Sequence, residues 1–150
     1  MAETMHFKPY QRPVNYYETD QMGIVHHSNY VRWFEEARTN LLRQAHLDYA
    51  ELEQMGIFTA ILGYSCVNEK PARFGDTFSI QVSPGAFNGV RLSFFYLVYR
   101  AEDQVLLATG ETRHCFVNRE MMPINIKRKY PSVSAALGRI MLPGDSDSDA

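Results

Sequence analysis

The 150-residue sequence predicts an α+β fold, with one long helix largely enclosed by other structure and a succession of antiparallel strands. Two observations predict it. Tyr30, Phe34, Ala37, Leu41 and Ala45 recur at helical spacing, and Val31, Trp33 and Leu42 widen that stripe beyond what a surface helix needs. Four strand-like runs then succeed one another with only short turns between them, a succession that pairs antiparallel.

The elements follow in order. Residues 1–9 look like a loose end, and a strand is expected over 12–17. The segment 18–27 has little periodicity and holds Gly23, so it reads as a loop. Ser28 or Asn29 is the expected N-cap of the long helix, because either side chain can accept from the free amides of a first turn. That helix should run to about Ala45, with Arg32, Glu36, Thr39 and Arg43 opposite the stripe. Asp48 and Glu51 open a short second helix, which Gly56 stops. Strands are expected over 58–69, 77–83, 91–101 and 105–118, each rich in β-branched and aromatic residues. Gly75-Asp76, Asn88-Gly89 and Glu102-Asp103-Gln104 supply the turns. A short helix is expected over 132–141. The tail 143–150 offers no apolar residue beyond proline and alanine and is expected to be disordered, leaving 1–142 as one domain.

Composition narrows the function. The net charge of -2 and pI near 6.2 give no basic field for nucleic acid. No apolar run approaches the roughly 18 residues of a membrane span. The first eight residues lack the basic-then-apolar order of a secretory signal. Cys66 and Cys115 sit in separate apolar runs, without zinc-ligand spacing, and are expected to be buried, reduced thiols of a cytoplasmic protein.

The chemistry gathers before the long helix, in the segment from Tyr16 to Tyr30: YYETDQMGIVHHSNY. A carboxylate, two histidines, a glycine and several aromatics crowd a segment that opens a helix. Helix N-termini present unpaired amides and partial positive charge, which stabilise an oxygen that becomes negative during a reaction. A nearby carboxylate can attack a carbonyl or take a proton from water. Asp20 is the candidate. A metal site at His26-His27 lacks further ligands, since His6, His46 and His114 are scattered. Arg38 falls at the edge of the apolar stripe and is expected to pair with a carboxylate, Glu35 or Glu18.

The stretch Tyr16 to Arg38, YYETDQMGIVHHSNYVRWFEEAR, resembles the 4-hydroxybenzoyl-CoA thioesterase family of hotdog-fold enzymes, and within it the short-chain acyl-CoA thioesterase branch. Thr19-Asp20, Gly23, Ile24-Val25, Tyr30 and the Glu35-x-Ala37-Arg38 ending carry the resemblance. Lys70-Pro71-Ala72-Arg73-Phe74-Gly75-Asp76 and Ala108-x-Gly110-x-Thr112-x-His114 extend it. The resemblance implies a hotdog fold, with a five-stranded antiparallel sheet around the helix. It implies a homodimer or homotetramer whose sheets join edge to edge, with active sites at the dimer interface. It implies hydrolysis of acyl-CoA to free acid and CoA, without metal or cofactor. Asp20 matches the family's catalytic Asp. The His27 amide matches the donor to the thioester carbonyl, and the His27 side chain and Tyr16 match residues of the short-chain branch. Gly23 and Val25 fall in the substrate-binding loop. Of the basic residues that some relatives use on the CoA phosphates only Arg91 is present, with Lys70, Arg73 or Lys127-Arg128-Lys129 as substitutes. A thioesterase acting on acyl carrier protein, or a non-catalytic acyl-binding protein, is the alternative.

Overall fold

The computed structural model describes residues 7–140, so the tail expected over 143–150 lies outside the described residues. Strand β1 (Tyr10–Pro13) precedes a 3-10 turn (Tyr16–Glu18), helix α1 (Ser28–Gln44) and helix α2 (Tyr49–Gln54). Strands β2 (Phe58–Asn68), β3 (Thr77–Phe87), β4 (Arg91–Arg100) and β5 (Leu106–Val117) follow, then helices α3 (Ile126–Lys129) and α4 (Pro131–Gly138). The five strands form one antiparallel sheet in the order β1-β3-β4-β5-β2.

The apolar stripe of α1 does what its width implies. Trp33 and Phe34 are fully buried, Trp33 stacked on Phe78 at 3.8 Å and Phe34 on Tyr96 at 4.4 Å between ring centroids. Gly110 makes room for this approach, since a Cβ there would collide with the Phe34 ring. The spacing Ala108-x-Gly110-x-Thr112-x-His114 is thus the inward face of β5, with Ala108, Thr112 and His114 buried beneath the helix.

Several expectations are corrected. The first strand is earlier and shorter than 12–17. It ends at Pro13, which has no N–H for a ladder, and residues 16–18 wind into the 3-10 turn instead. The chain before it is not wholly loose: Phe7 packs on the core and the Lys8 amide donates to Gln44 Oε1 at 2.8 Å. The N-cap of α1 is His27, with no side-chain cap bond. Ser28 and Asn29 are spent elsewhere, Ser28 Oγ on His26 Nδ1 at 2.8 Å and Asn29 on two loop carbonyls. The second helix starts as expected, with Asp48 Oδ1 accepting from the Ala50 amide and Gly56 at φ 84 after its end. Strand β3 continues past residue 83 to Phe87, its register shifting between Pro84 and Phe87 so that a proline is accommodated. The last helix starts one residue early, on Pro131 at its first position, where the missing N–H is no loss. Cys115 is buried, but Cys66 is exposed because it lies on the outer strand β2.

Arg38 is buried, and contrary to expectation it pairs with neither Glu35 nor Glu18. It donates to Tyr49 Oη at 3.0 Å and Tyr96 Oη at 3.1 Å. Glu18 is engaged by Arg12, and Glu35 points to solvent. Tyr96 Oη lies 2.6 Å from Thr112 Oγ1, which lies 2.7 Å from His114 Nε2. Donation can run one way along this chain, from the always-protonated Arg38 through Tyr96 and Thr112 to an accepting, neutral His114. Burial pushes His114 down to about 3, and the Arg38 charge adds to the effect.

Candidate active site at the entry to the long helix

The loop between the 3-10 turn and α1 is tied down along its length. Thr19 bridges Val25, and Ile24 bridges Arg73 of the β2–β3 connection. The Val25 amide donates to Ala72 O at 2.8 Å and the His26 amide to Glu18 O at 2.8 Å. Asn29 Nδ2 donates to Glu18 O at 2.9 Å and to His26 O at 3.2 Å, stapling both loop ends to the first turn of α1.

Beneath it lies a charged clamp. The Glu18 carboxylate is buried and accepts four hydrogen bonds, two from Arg12, one from Trp33 Nε1 at 2.7 Å and one from the Asn15 amide at 2.8 Å. Arg12 also bonds both oxygens of Glu36 on α1 and lies over the Phe78 ring at 4.9 Å. Burial alone would raise the Glu18 carboxyl, but Arg12, Trp33 and Asn15 together hold it below the usual carboxylate range. The Arg12 guanidinium is raised in turn, first by its hydrogen bonds to Glu18. Glu18 is a central residue of this region that sequence reading considered only as a partner for Arg38. Its signal was faint: a carboxylate six residues after an arginine in a strand.

Asp20 sits on this frame in a tight turn. Its amide donates to Ile24 O and the Gly23 amide to Asp20 O, each at 2.9 Å. Gly23 takes φ +76, the left-handed region that a side chain resists. The Met22 amide donates to Asp20 Oδ1 at 2.9 Å, which orients the carboxylate and leaves Oδ2 without a partner among the described residues.

His27 is exposed at the helix entry, and its ring stacks near His26 at 4.1 Å. Its backbone amide finds no acceptor among the described residues. Tyr16 is 76% exposed and meets the edge of Phe74 at 5.5 Å rather than packing in the core. Val25 is buried, so its side chain serves the core and its backbone holds the loop. Arg91 is not brought to this place. It starts β4, whose other end, Arg100, pairs with Asp76 near the loop. Nine strand steps separate the two, about 30 Å. The basic residues Lys127, Arg128 and Lys129 form α3 at that far end, where the Ile126 amide bonds Gly89 O. Of the basic candidates, Lys70 and Arg73 lie in the connection that pairs with the Asp20 loop.

An open cleft of about 720 Å³ runs from His27 along α1. Ser28, Val31 and Arg32 form its helix wall, and Tyr64, Ser65, Cys66 and Asn68 of β2 form the other. Sequence reading placed Arg32 opposite the apolar stripe and assigned neither it nor Ser65, Cys66 and Asn68 of β2 a role in the site. Among the described residues, no three His, Cys, Asp or Glu side chains cluster as metal ligands, and no helix is long and apolar enough to cross a membrane.

A family profile described as the thioesterase-like superfamily matches residues 14–137. The chain belongs to that superfamily. A protein of Aquifex aeolicus that carries a provisional esterase name is 37% identical over 108 residues, 72% of this chain and 83% of that protein. The acyl-CoA thioester hydrolase YbgC of Escherichia coli is 31% identical over 93 residues, 62% of this chain and 69% of that protein. Among solved structures, a DHNA-CoA thioesterase from Staphylococcus aureus superposes with a TM-score of 0.83 at 24% identity, each chain covered to 89%. The hotdog architecture is therefore established: the long helix of this thioesterase-superfamily chain lies in a five-stranded antiparallel sheet. Of the residues proposed from the sequence, His27 lines the cleft at the helix entry, whereas Asp20 and Tyr16 do not line it.

Proposed function

We propose that this chain is an acyl-CoA thioesterase that hydrolyses its substrate to the free acid and CoA. The observation that carries the reading is Asp20: a carboxylate in a braced turn with one oxygen unpartnered among the described residues, seven residues before a helix entry whose His27 amide has no acceptor among them. The thioester carbonyl binds against that amide, and the first turn of α1 stabilises the oxyanion through its partial positive charge. Asp20 then acts either as nucleophile, forming a mixed anhydride that water cleaves, or as general base for direct attack by water. In both routes the electron pair of the broken C–S bond leaves on sulfur, and CoA departs as the thiol once protonated. Tyr16 and the His27 side chain flank the reacting group from exposed positions.

The site is completed in a homo-oligomer. Strand β2 is eleven residues long, lies at one edge of the sheet, and exposes Ile61, Leu62, Tyr64 and Val67 by half or more of their surface. A long apolar edge of this kind is a template for another strand, here the β2 of a second copy. Sedimentation at micromolar concentration checks this, and a monomer would contradict it.

The decisive test is Asp20→Asn. The amide is nearly isosteric and is neither nucleophile nor base, so kcat should fall on the order of 10³-fold or more, about 4 kcal/mol. Single turnover in ¹⁸O-labelled water separates the routes, because hydrolysis of an anhydride at the enzyme carbonyl leaves label in Asp20. Near wild-type turnover by a folded Asp20→Asn protein would end this reading.

A further inference from the structure

In the lining that one protomer supplies, the cleft between α1 and β2 has a single arginine. Arg32 lines it and makes no hydrogen bond or ion pair with any described residue. Among the described residues, no Asp or Glu lines the cleft. Beside Arg32 stand three uncharged polar side chains, Ser28, Ser65 and Asn68, whose oxygen takes the Cys66 thiol at 3.6 Å while no described bond uses its NH₂, and three less polar ones, Val31, Tyr64 and Cys66. On the helix side the apolar lining is Val31. An alkyl chain covers Val31 and Tyr64 but offers Arg32 no acceptor. A short acyl group that ends in an anion gains a partner. Arginine is the side chain whose planar fork fits a carboxylate with two parallel bonds.

Position along the helix selects which anion. Arg32 lies five residues past His27, about 7.5 Å along the axis. With the thioester carbonyl at the His27 amide, an acyl group lying along α1 reaches Arg32 within a short chain. The CoA phosphates hang from the other side of the thioester, beyond the whole pantetheine arm. We propose that Arg32 is a specificity-determining residue, and that the cleft selects short acyl groups bearing a terminal carboxylate. The inference rests on the thioesterase reading and adds the substrate class to it.

The test compares wild type, Arg32→Gln and Arg32→Lys on adipoyl-CoA and hexanoyl-CoA, which share a chain length and differ in the terminal carboxylate. The same two acyl groups are also presented on N-acetylcysteamine, which has no phosphates. Wild type should favour the adipoyl group by about tenfold or more, the scale of a hydrogen-bonded charge pair. Arg32→Gln should erase that preference on both carriers, mainly through KM, and leave hexanoyl turnover within about twofold. Arg32→Lys should restore part of it, since it keeps the charge and loses the fork. A loss confined to the CoA thioesters would place Arg32 on a phosphate and overturn the proposal. So would an equal loss on all four substrates, the mark of a structural role or an ion pair between subunits. A wild type that favours hexanoyl overturns it too, while the thioesterase reading survives. A wild type inactive on every thioester would instead sink the parent reading, and this inference with it.

Discussion

Glu18 is 3% exposed with both carboxylate oxygens bonded, whereas Asp20, two residues on, keeps one oxygen free in a half-exposed turn. The same stretch of chain holds both. The difference lies in what the fold brings to each. Glu18 meets Arg12 from β1 and Trp33 from α1, so its charge is neutralised and its position fixed. Asp20 meets only its own turn, so its Oδ2 has no partner among the described residues. One carboxylate is spent on building the loop, and the other is what the loop presents. A site of this kind needs both, because a reactive group is only as well placed as the backbone beneath it.

Four substitutions break or sharpen that contrast. Asp20→Asn has the largest expected effect, with activity nearly abolished and the melting temperature shifted by no more than about 2 °C, as for a surface change. Glu18→Gln should do the reverse first. Removing one partner of a buried pair costs about 3 kcal/mol, the low end of the usual range, because Arg12 keeps Glu36. Urea unfolding measures it. The folded-state carboxyl of Glu18 is depressed, so its contribution is present above the unfolded value of about 4.3 and is lost as pH falls through the folded value. The variant should lack that acid-side loss. If Glu18→Gln left stability untouched, the clamp would not be the loop's foundation.

His27→Ala keeps the backbone amide and removes only the ring. A loss of about 10-fold to 100-fold in kcat fits a supporting side chain. A loss as large as that of Asp20→Asn would move the ring to the centre of the chemistry, and no loss would remove it.

The last effect is read in stability rather than turnover and concerns His114, which lies away from the loop. Its folded value is depressed to about 3 while the unfolded value is about 6.5. Between these the unfolded chain binds the extra proton, so stability falls as pH drops, by up to about 1.4 kcal/mol per pH unit. His114→Gln should flatten that slope in urea titrations between pH 6 and pH 4. An unchanged slope would mean that His114 does not stay neutral in the folded protein.

Much of this was legible in the sequence because the signals are local. The stripe through Phe34 and Leu41 marked the helix, and Thr19-Asp20 with Gly23 marked the turn. What escaped depends on distant partners. Arg38 finds Tyr49 and Tyr96, eleven and fifty-eight residues away, where sequence reading offered it carboxylates close in the chain. The exposure of Cys66 follows from β2 being an edge, which strand order decides and composition does not. The Arg32 wall exists because β2 passes beside the first turns of α1, a juxtaposition no spacing announces.

The stapling of the Asp20 loop has a consequence for binding thermodynamics. Ordering a free backbone takes roughly 1–2 kcal/mol per residue. Residues 18–27 are already ordered, through two bridges, the Asn29 staple and the Glu18 clamp. A ligand entering the cleft therefore has no loop to freeze, and its affinity is not diminished by that entropy. Calorimetry of a non-hydrolysable acyl-CoA analogue should show a heat-capacity change set by the apolar area it covers, with no further contribution from folding of the protein. Apo and bound loops should superpose, and the temperature dependence of turnover should reflect the bond being broken rather than the opening of a lid.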